Sequence, residues 1–308
     1  MDFPRLTDAE MVARLGPPDG PVPAVLDTDT YNEIDDQFAL VYALLSPEAV
    51  ELEAIYAAPF HNNRSDGPAD GMAKSYEEIG RVLDRLGREM DGFAFRGSER
   101  WLPSAETPVP SEAASDLVER AMADRDGPLY VLAIGAVTNV ASALLMEPRL
   151  VEHVVLVWLA GQPHYWHTAK EFNLAGDLTA SRVIFDSGVP LVQFPCTHVT
   201  EQLRTTLPEL ERYVKGRGRL GDYLYETTRD YVGEGVATSK VIWDIIAVAY
   251  LVESGWAPTR LVHAPHLTEQ ATYSADQSRH FMRTGIQAHR DPIFHDLFTK
   301  LQAHHPAE

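Results

Sequence analysis

Four aspartates fall within ten residues near the start of the chain: Asp27, Asp29, Asp35 and Asp36, in the run VLDTDTYNEIDD. Carboxylates this close repel one another unless positive charge sits among them. A hard cation with oxygen ligands, Ca2+ or Mg2+, is the natural resolution. The plainer alternative is helix chemistry, since an acidic side chain can cap a helix N-terminus or lie favourably against its dipole. Capping accounts for one or two of these acids and leaves the others to be explained by a metal.

Two further arrangements compete for the same segment. Phosphatases of the haloacid dehalogenase type also open with a strand and then DxDx(T/V), which would make Asp27 a nucleophile bound to Mg2+ chemistry. The last position of that pattern is Tyr31 here, so it misses by one residue. An EF-hand loop needs a ligand at its fifth position and glycine at its sixth, where this chain has Tyr31 and Asn32.

Wherever the acids act, regular elements must carry them. Residues 22–26 read as a buried strand ending on the acids. Ile34, Phe38, Val41 and Leu45 then recur at helical spacing until Ser46-Pro47 stops the helix. Further strands are predicted at 51–58, 93–95, 129–134, 154–159 and 191–194. Helices are predicted between them: one opening at Ser65-Asp66-Gly67-Pro68, with Ser65 beside a proline suited to a first turn, then 113–123, 138–146 and 178–186. Strands alternating with helices imply βαβ units and a parallel sheet covered on both faces. The last third is more helical, at 207–214, 222–232 and 244–252. An added β-hairpin within 261–281 and a final helix at 292–303 follow. The expectation is an α/β fold: a single Rossmann-like domain over 1–308 with a mostly parallel central sheet, helices on both faces, and additional C-terminal helices and hairpin. In such sheets ligands bind beyond the carboxyl ends of the strands, where Asp27 and Asp29 fall.

Composition narrows the partners. A formal net charge of −19 argues against a nucleic-acid-binding surface, which needs clustered Lys and Arg, and offers little to an anionic membrane. The single cysteine, Cys196, excludes an intrachain disulfide and fits a reducing compartment. MDFPRLTDAE has no apolar core of a signal peptide, and no apolar run reaches the ~18 residues of a spanning helix. A cytoplasmic protein is expected.

The strand-ending DTD and helix-opening DD resemble the signature of the inosine-uridine-type nucleoside hydrolases. Other segments agree in order: PFHN at 59–62, LAIGAVTN at 132–139, EFN at 171–173, THVT at 197–200 and WD at 243–244. The resemblance runs from about Val22 to Tyr250. It implies that Asp29, Asp36 and Asp244 bind Ca2+ through side chains and Ile134 through its carbonyl. It also implies that Asp29 serves as general base on the water the ion holds. Asp35, Glu171 and Asn173 would hold the ribose hydroxyls, Asn62 would lie beside water and base, and Asp27 would support the ligands from behind. The substrate would be a nucleoside and the assembly a homodimer or homotetramer. The chemistry suits the residues, because N-glycosidic cleavage passes through an oxocarbenium-like ribose that surrounding carboxylates stabilise.

Departures from that pattern are specific. Asp29 and Asp35 are six residues apart, so the 30–34 loop is longer than usual and carries an extra acid, Glu33. Tyr165 stands where the family often has Asn. Trp243 replaces the histidine that acts as leaving-group acid in the inosine-uridine group, as in the purine-specific group, and a Trp face can stack on a purine. Trp101 and Trp166 are candidates for the other side of that sandwich. His61, His164 and His167 are candidate proton donors, and Tyr223, Tyr225, Arg229 and Tyr231 share a helix that could close over a base. The functional reading is a Ca2+-dependent, purine-preferring ribonucleoside hydrolase. A DxD phosphatase and a non-catalytic nucleoside or sugar sensor are the alternatives.

Overall fold

The first strand, β1 (Val22–Thr28), shows how the sheet forms. Every residue from Ala24 onward is buried; Ala24 and Leu26 join one apolar cluster and Val25 the other. A strand buried on both faces reads as a continuous apolar run, with alternate side chains serving opposite layers. In β4 (Leu129–Ala133) and β5 (Val154–Leu159) the same division holds: Leu132 and Val157 face one layer, Val131 and Leu156 the other.

The structure, a computed structural model, describes residues 2–304 apart from positions 234 and 236. The main sheet also contains β2 (Val50–Ala57), β3 (Ala94–Arg96) and β6 (Leu191–Phe194). Two short strands, β7 (Arg204–Thr205) and β8 (Lys240–Val241), pair separately, and β9 (Thr259–His263), β10 (His266–Leu267), β11 (Tyr273–Ser274) and β12 (Phe281–Gly285) follow. Eight strands form the sheet in the order β3-β2-β1-β4-β5-β6-β12-β9. All neighbours are parallel except β12 and β9. The chain moves outward from β1 to β3, then restarts on the other side at β4. The crevice between the ends of β1 and β4 is therefore the topological switch point.

The helices are α1 (Asp8–Arg14), α2 (Asp35–Leu44), α3 (Pro68–Arg85), α4 (Glu112–Met122), α5 (Thr138–Met146), α6 (Phe172–Gly176), α7 (Leu178–Ser187), α8 (Leu207–Tyr213), α9 (Gly218–Val232), α10 (Ile245–Val252) and α11 (Arg290–His304). One layer contains α2, α3, α10 and α11, and the opposite layer contains α4, α5 and α7. Every residue of α2 is buried, and so are all but the last of α10. Such helices must run through the core, and their N-termini open on the crevice.

Several local expectations change. Pro68 is the first residue of α3 and Gly67 its cap, while the Ser65 hydroxyl donates to the Phe60 carbonyl at 3.2 Å. The C-terminal hairpin is integral to the sheet: β12 pairs with β6 and β9 with β12. FMRTG carries too few apolar residues to announce a strand beside the core. Helix α1 was not anticipated, although Thr7 and Glu10 form a capping box whose pattern stands in the sequence. Among the described residues no helix is long and apolar enough to cross a membrane.

Candidate active site

Strand β1 delivers Asp27 within the sheet and Asp29 just past its end, and the next helix begins with Asp35 and Asp36. Far along the chain, Asp244 occupies the N-cap position of α10. Neither helix uses these acids as caps: Ile34 is the N-cap residue of α2, and no side chain caps either N-terminus. Capping is thus excluded as their occupation, while both helix dipoles present positive ends to the cluster. One carboxylate oxygen from each of Asp35, Asp36 and Asp244 lies within 4.8 Å of the others.

The electrostatics are those of a site lacking positive charge. Burial first, then the Asp36 and Asp35 charges, hold the Asp29 carboxyl well above the usual carboxylate range. Burial and Asp35 raise Asp36, and burial with Asp35, Asp36 and Asp29 raises Asp244. The Thr28 hydroxyl donates to Asp36 at 2.5 Å, whereas the buried Asp29 Oδ2 has no protein partner. An orphaned buried oxygen is costly unless something occupies its lone pairs. Oxygen-only donors and mutual repulsion fit a hard divalent cation.

A cavity of about 560 Å³ opens over this cluster, lined by Asp29, Asp35, Asp36, Ile134, Asn62, Glu171, Asn173, Trp243 and Asp244. The residues that the family resemblance assigns to metal, ribose and base all line it. Asp27 does not: it is fully buried behind the site, accepts from Asn139 Nδ2 at 2.8 Å, and is pushed up to about 7 by burial. That position leaves no room for a substrate phosphorus, so Asp27 is not placed as a phosphatase nucleophile.

Local structure fixes the cavity wall. Glu171 is the N-cap of α6 and accepts from Asn173 N at 3.0 Å, Leu174 N at 3.2 Å and Gly161 N at 2.8 Å. Gly161 has φ 69°, a left-handed conformation in which a side chain is strained, and a Cβ there would approach the Tyr273 hydroxyl to 2.5 Å. Asn173 Nδ2 donates to the Ile134 and Leu159 carbonyls, each at 3.0 Å, fixing the Ile134 oxygen's direction. Asn62 donates to Asn32 at 2.6 Å and accepts from Arg64 N at 2.8 Å. Arg64 also binds the Glu33 carbonyl at 3.1 Å and lies 4.4 Å from the Tyr31 ring centre, so the long loop is pinned rather than loose.

Other sequence candidates lie elsewhere. Trp101 and Trp166 are not among the residues lining the cavity; Trp166 packs against His167 and His198. The His164 ring binds Gln193 at 2.8 Å, and His61 contacts Ser65; neither lines the cavity, nor does His167. Tyr165 is 66% exposed and stacks on His198. Of the α9 residues only Tyr231 reaches the cavity; Tyr223 donates to Glu78, and Arg229 pairs with Asp230. Sequence reasoning missed Lys240, whose ammonium meets Glu33 and lies 3.4 Å from Asp35. It also missed Gln162, Thr197 and the thiol of Cys196 as lining groups. Only the proximity of Lys240 to the Trp243-Asp244 pair hinted at its place.

Comparisons with known proteins agree with this geometry. Residues 24–290 match the family model described as inosine-uridine preferring nucleoside hydrolase. A probable uridine nucleosidase 2 of Arabidopsis thaliana is 26% identical over 220 residues, 65% of this chain and 66% of that protein. The pyrimidine-specific ribonucleoside hydrolase RihA of Escherichia coli is 27% identical over 214 residues, 62% of this chain and 65% of its own length. The chain thus spans just under two thirds of these curated relatives. The purine-preferring ribonucleoside hydrolase from Gardnerella vaginalis shares the fold, with TM-score 0.71 and 19% identity over 92% of this chain and 98% of that one.

Proposed function

The chain belongs to the inosine-uridine preferring nucleoside hydrolase family, and on that premise we propose that it hydrolyses the N-glycosidic bond of ribonucleosides, with Ca2+ as cofactor and purine nucleosides preferred. Water is the second substrate, and ribose and free base are the products. The observation that carries this reading is the convergence of buried Asp29, Asp35, Asp36 and Asp244 on one cavity, the last three with carboxylate oxygens within 4.8 Å of one another, and with Asp29 Oδ2 lacking a partner.

Asp29, Asp36 and Asp244, with the Ile134 carbonyl, would hold the ion. When bound, Ca2+ supplies Lewis acidity and a fixed location for the nucleophilic water. Asp29 then takes the proton that water loses as its oxygen joins C1′. Asp35, Glu171 and Asn173 bind the ribose hydroxyls, using binding energy from the non-reacting part of the substrate to align C1′. The ring of carboxylates stabilises the positive charge that develops on the sugar. Asn62 sits beside water and base, Trp243 presents its face to the base, and Asp27 with Asn139 holds the floor.

Purine preference rests on Trp243, whose large face gains more from a bicyclic ring than from a pyrimidine. The relatives above carry both purine and pyrimidine descriptions, so the choice must come from this chain's own residues. Residues 1–308 are read as one domain, supported by a sheet that runs from Val22 to Gly285. The family premise also favours a cytoplasmic homodimer or homotetramer, to be tested by sedimentation.

The deciding experiment measures ribose released from inosine, guanosine, adenosine and uridine, with and without chelator. Turnover that chelator abolishes and Ca2+ restores is expected. Turnover indifferent to chelator, or tight nucleoside binding with no turnover, contradicts the proposal; the latter indicates a sensor. Uridine cleaved as fast as inosine removes the purine preference alone.

A further inference from the structure

The Glu171 carboxylate takes its direction from three backbone N–H groups. Those of Asn173 and Leu174 come with the start of α6, and the third, Gly161, comes from the turn that follows β5. Oε2 is thereby tied both to its own helix and to that turn. The Gly161 N–H belongs to the Ala160–Gly161 peptide, which is planar and trans, so it points opposite to the Ala160 carbonyl. Whatever grips the Ala160 carbonyl therefore aims the Gly161 N–H.

Gln193 grips it. This side chain is wholly buried on β6, and its Nε2 donates to the Ala160 carbonyl at 2.9 Å and to the Tyr273 hydroxyl at 2.9 Å. A carbonyl can only accept, so the amide nitrogen must face Ala160 and Gln193 Oε1 must face His164. Oε1 accepts from His164 Nε2 at 2.8 Å, which leaves no part of the amide idle. Tyr273 arrives from β11, far along the chain, and its ring packs on His164 and Phe185 with centroids 4.7 and 5.8 Å apart. The hairpin that carries it is fastened to the same loop: the Ala271 carbonyl accepts from Ala169 N at 2.7 Å and from the Thr168 hydroxyl at 3.1 Å. Ala271 presents that carbonyl from a left-handed φ of 52°, a strained conformation for a residue with a side chain. None of Gln193, His164 and Tyr273 lines the cavity.

We propose that Gln193, set by Tyr273 and His164, is a positioning residue for Glu171: it holds the Ala160–Gly161 peptide in the orientation that keeps the Gly161 N–H on the carboxylate. The inference rests on the hydrolase reading above, in which Glu171 binds a ribose hydroxyl. Gly161 is where this peptide can turn over, since glycine passes between positive and negative φ at little cost. Without Gln193 the Ala160 carbonyl loses its donor, and turning to find another swings its oxygen toward Glu171 and the N–H away. The carboxylate then gives up one of its three N–H bonds, faces an oxygen, and leaves the direction in which it meets ribose. His164, a candidate proton donor in the sequence, is thus spent on orienting an amide.

The test uses the full chain and whichever of inosine, guanosine, adenosine and uridine wild type cleaves fastest, with its 2′-, 3′- and 5′-deoxy counterparts. The hydroxyl that Glu171 binds is the one whose removal makes Glu171→Gln least harmful. Gln193→Met keeps the side chain's length and removes its donors, and is expected to lower kcat/KM about tenfold on the parent riboside. On the analogue lacking that hydroxyl, and in a Glu171→Gln background, the loss should shrink below about twofold, because both changes act through one interaction. Tyr273→Phe removes one hydroxyl and keeps the test decisive if Gln193→Met does not fold; about a threefold loss with the same pattern is expected. A merely structural role predicts equal losses on every substrate, multiplying with Glu171→Gln. Such losses, or kcat/KM within about twofold of wild type in both variants, overturn the inference and leave the hydrolase reading standing. A crystal structure of Gln193→Met with the Gly161 N–H still on Glu171 also overturns it. No ribose from any substrate with wild type ends both.

Discussion

Lys240 on β8 places its ammonium 3.4 Å from Asp35 at the start of α2, and the same ammonium binds Glu33 in the intervening loop. Asp35 is buried and Lys240 largely so, with 3% and 11% of their side chains exposed. Burial works to discharge Lys240, yet the Asp35 and Glu33 charges raise its pKa above the ordinary value. Asp35 also accepts the Trp243 N–H at 3.0 Å, so one carboxylate joins the first helix to the Trp243-Asp244 turn.

Lys240→Met should therefore destabilise the protein by about 3 kcal/mol, the range seen when one partner of a buried pair is removed. Urea denaturation measures it. Adding Asp35→Asn should recover part of the loss, because the second change removes the stranded charge. Equal stability of Lys240→Met and wild type would show that the pair is not coupled to folding.

Asp29→Asn should lower kcat by about a thousandfold or more, as expected for loss of a general base that also binds the ion. Its melting temperature in chelator should equal or exceed that of wild type, since a crowded buried carboxylate is removed. Activity within a few-fold of wild type would reassign the base.

The pH dependence of metal stabilisation has a definite sign. Asp29, Asp36 and Asp244 all have raised folded pKa values, so without metal the folded state binds more protons than the unfolded state above the ordinary value of 3.8. Stability of the chelated protein should fall as pH rises from about 4 toward 7. Ca2+ replaces those protons, so the gain in melting temperature on adding it should be larger at pH 7.5 than at pH 5. A shift independent of pH would mean that the ion binds elsewhere.

Asn139 ties three segments beneath the site: Nδ2 donates to Asp27 at 2.8 Å and to the Ala57 carbonyl at 3.2 Å, and Oδ1 accepts from Ser98 N at 2.7 Å. Gly97 permits this approach, since a Cβ there would lie 1.9 Å from the Ala57 oxygen. Asn139→Ala strands these groups in the core and should cost about 2–3 kcal/mol. Chelator-treated protein should show the same loss in urea, which separates a structural effect from metal binding.

Much of the architecture was legible because its cause is local. Strands such as VVLVWL at β5 are continuous apolar runs, and the helix bounds at α5 follow from periodicity and flanking residues. The failures were of two kinds. FMRTG became a sheet strand because β6 offered an unpaired edge, a condition set 87 residues earlier in the chain. The sandwich proposed for Trp101 and Trp166 required direction as well as sequence position, and both rings lie outside the cavity.

By itself the sequence determined that acids crowd the end of a first buried strand, that a parallel sheet carries them, and that the chain as a whole is strongly acidic. These follow from residue type, spacing and net charge, which act over a few residues or over the whole composition. Only the tertiary structure decided that Asp244 joins Asp35 and Asp36 within 4.8 Å, that Asp27 turns inward to Asn139, and that Lys240 answers Glu33. Those relationships depend on two almost wholly buried helices pointing their N-termini at one crevice. No local preference encodes where a distant helix will dock.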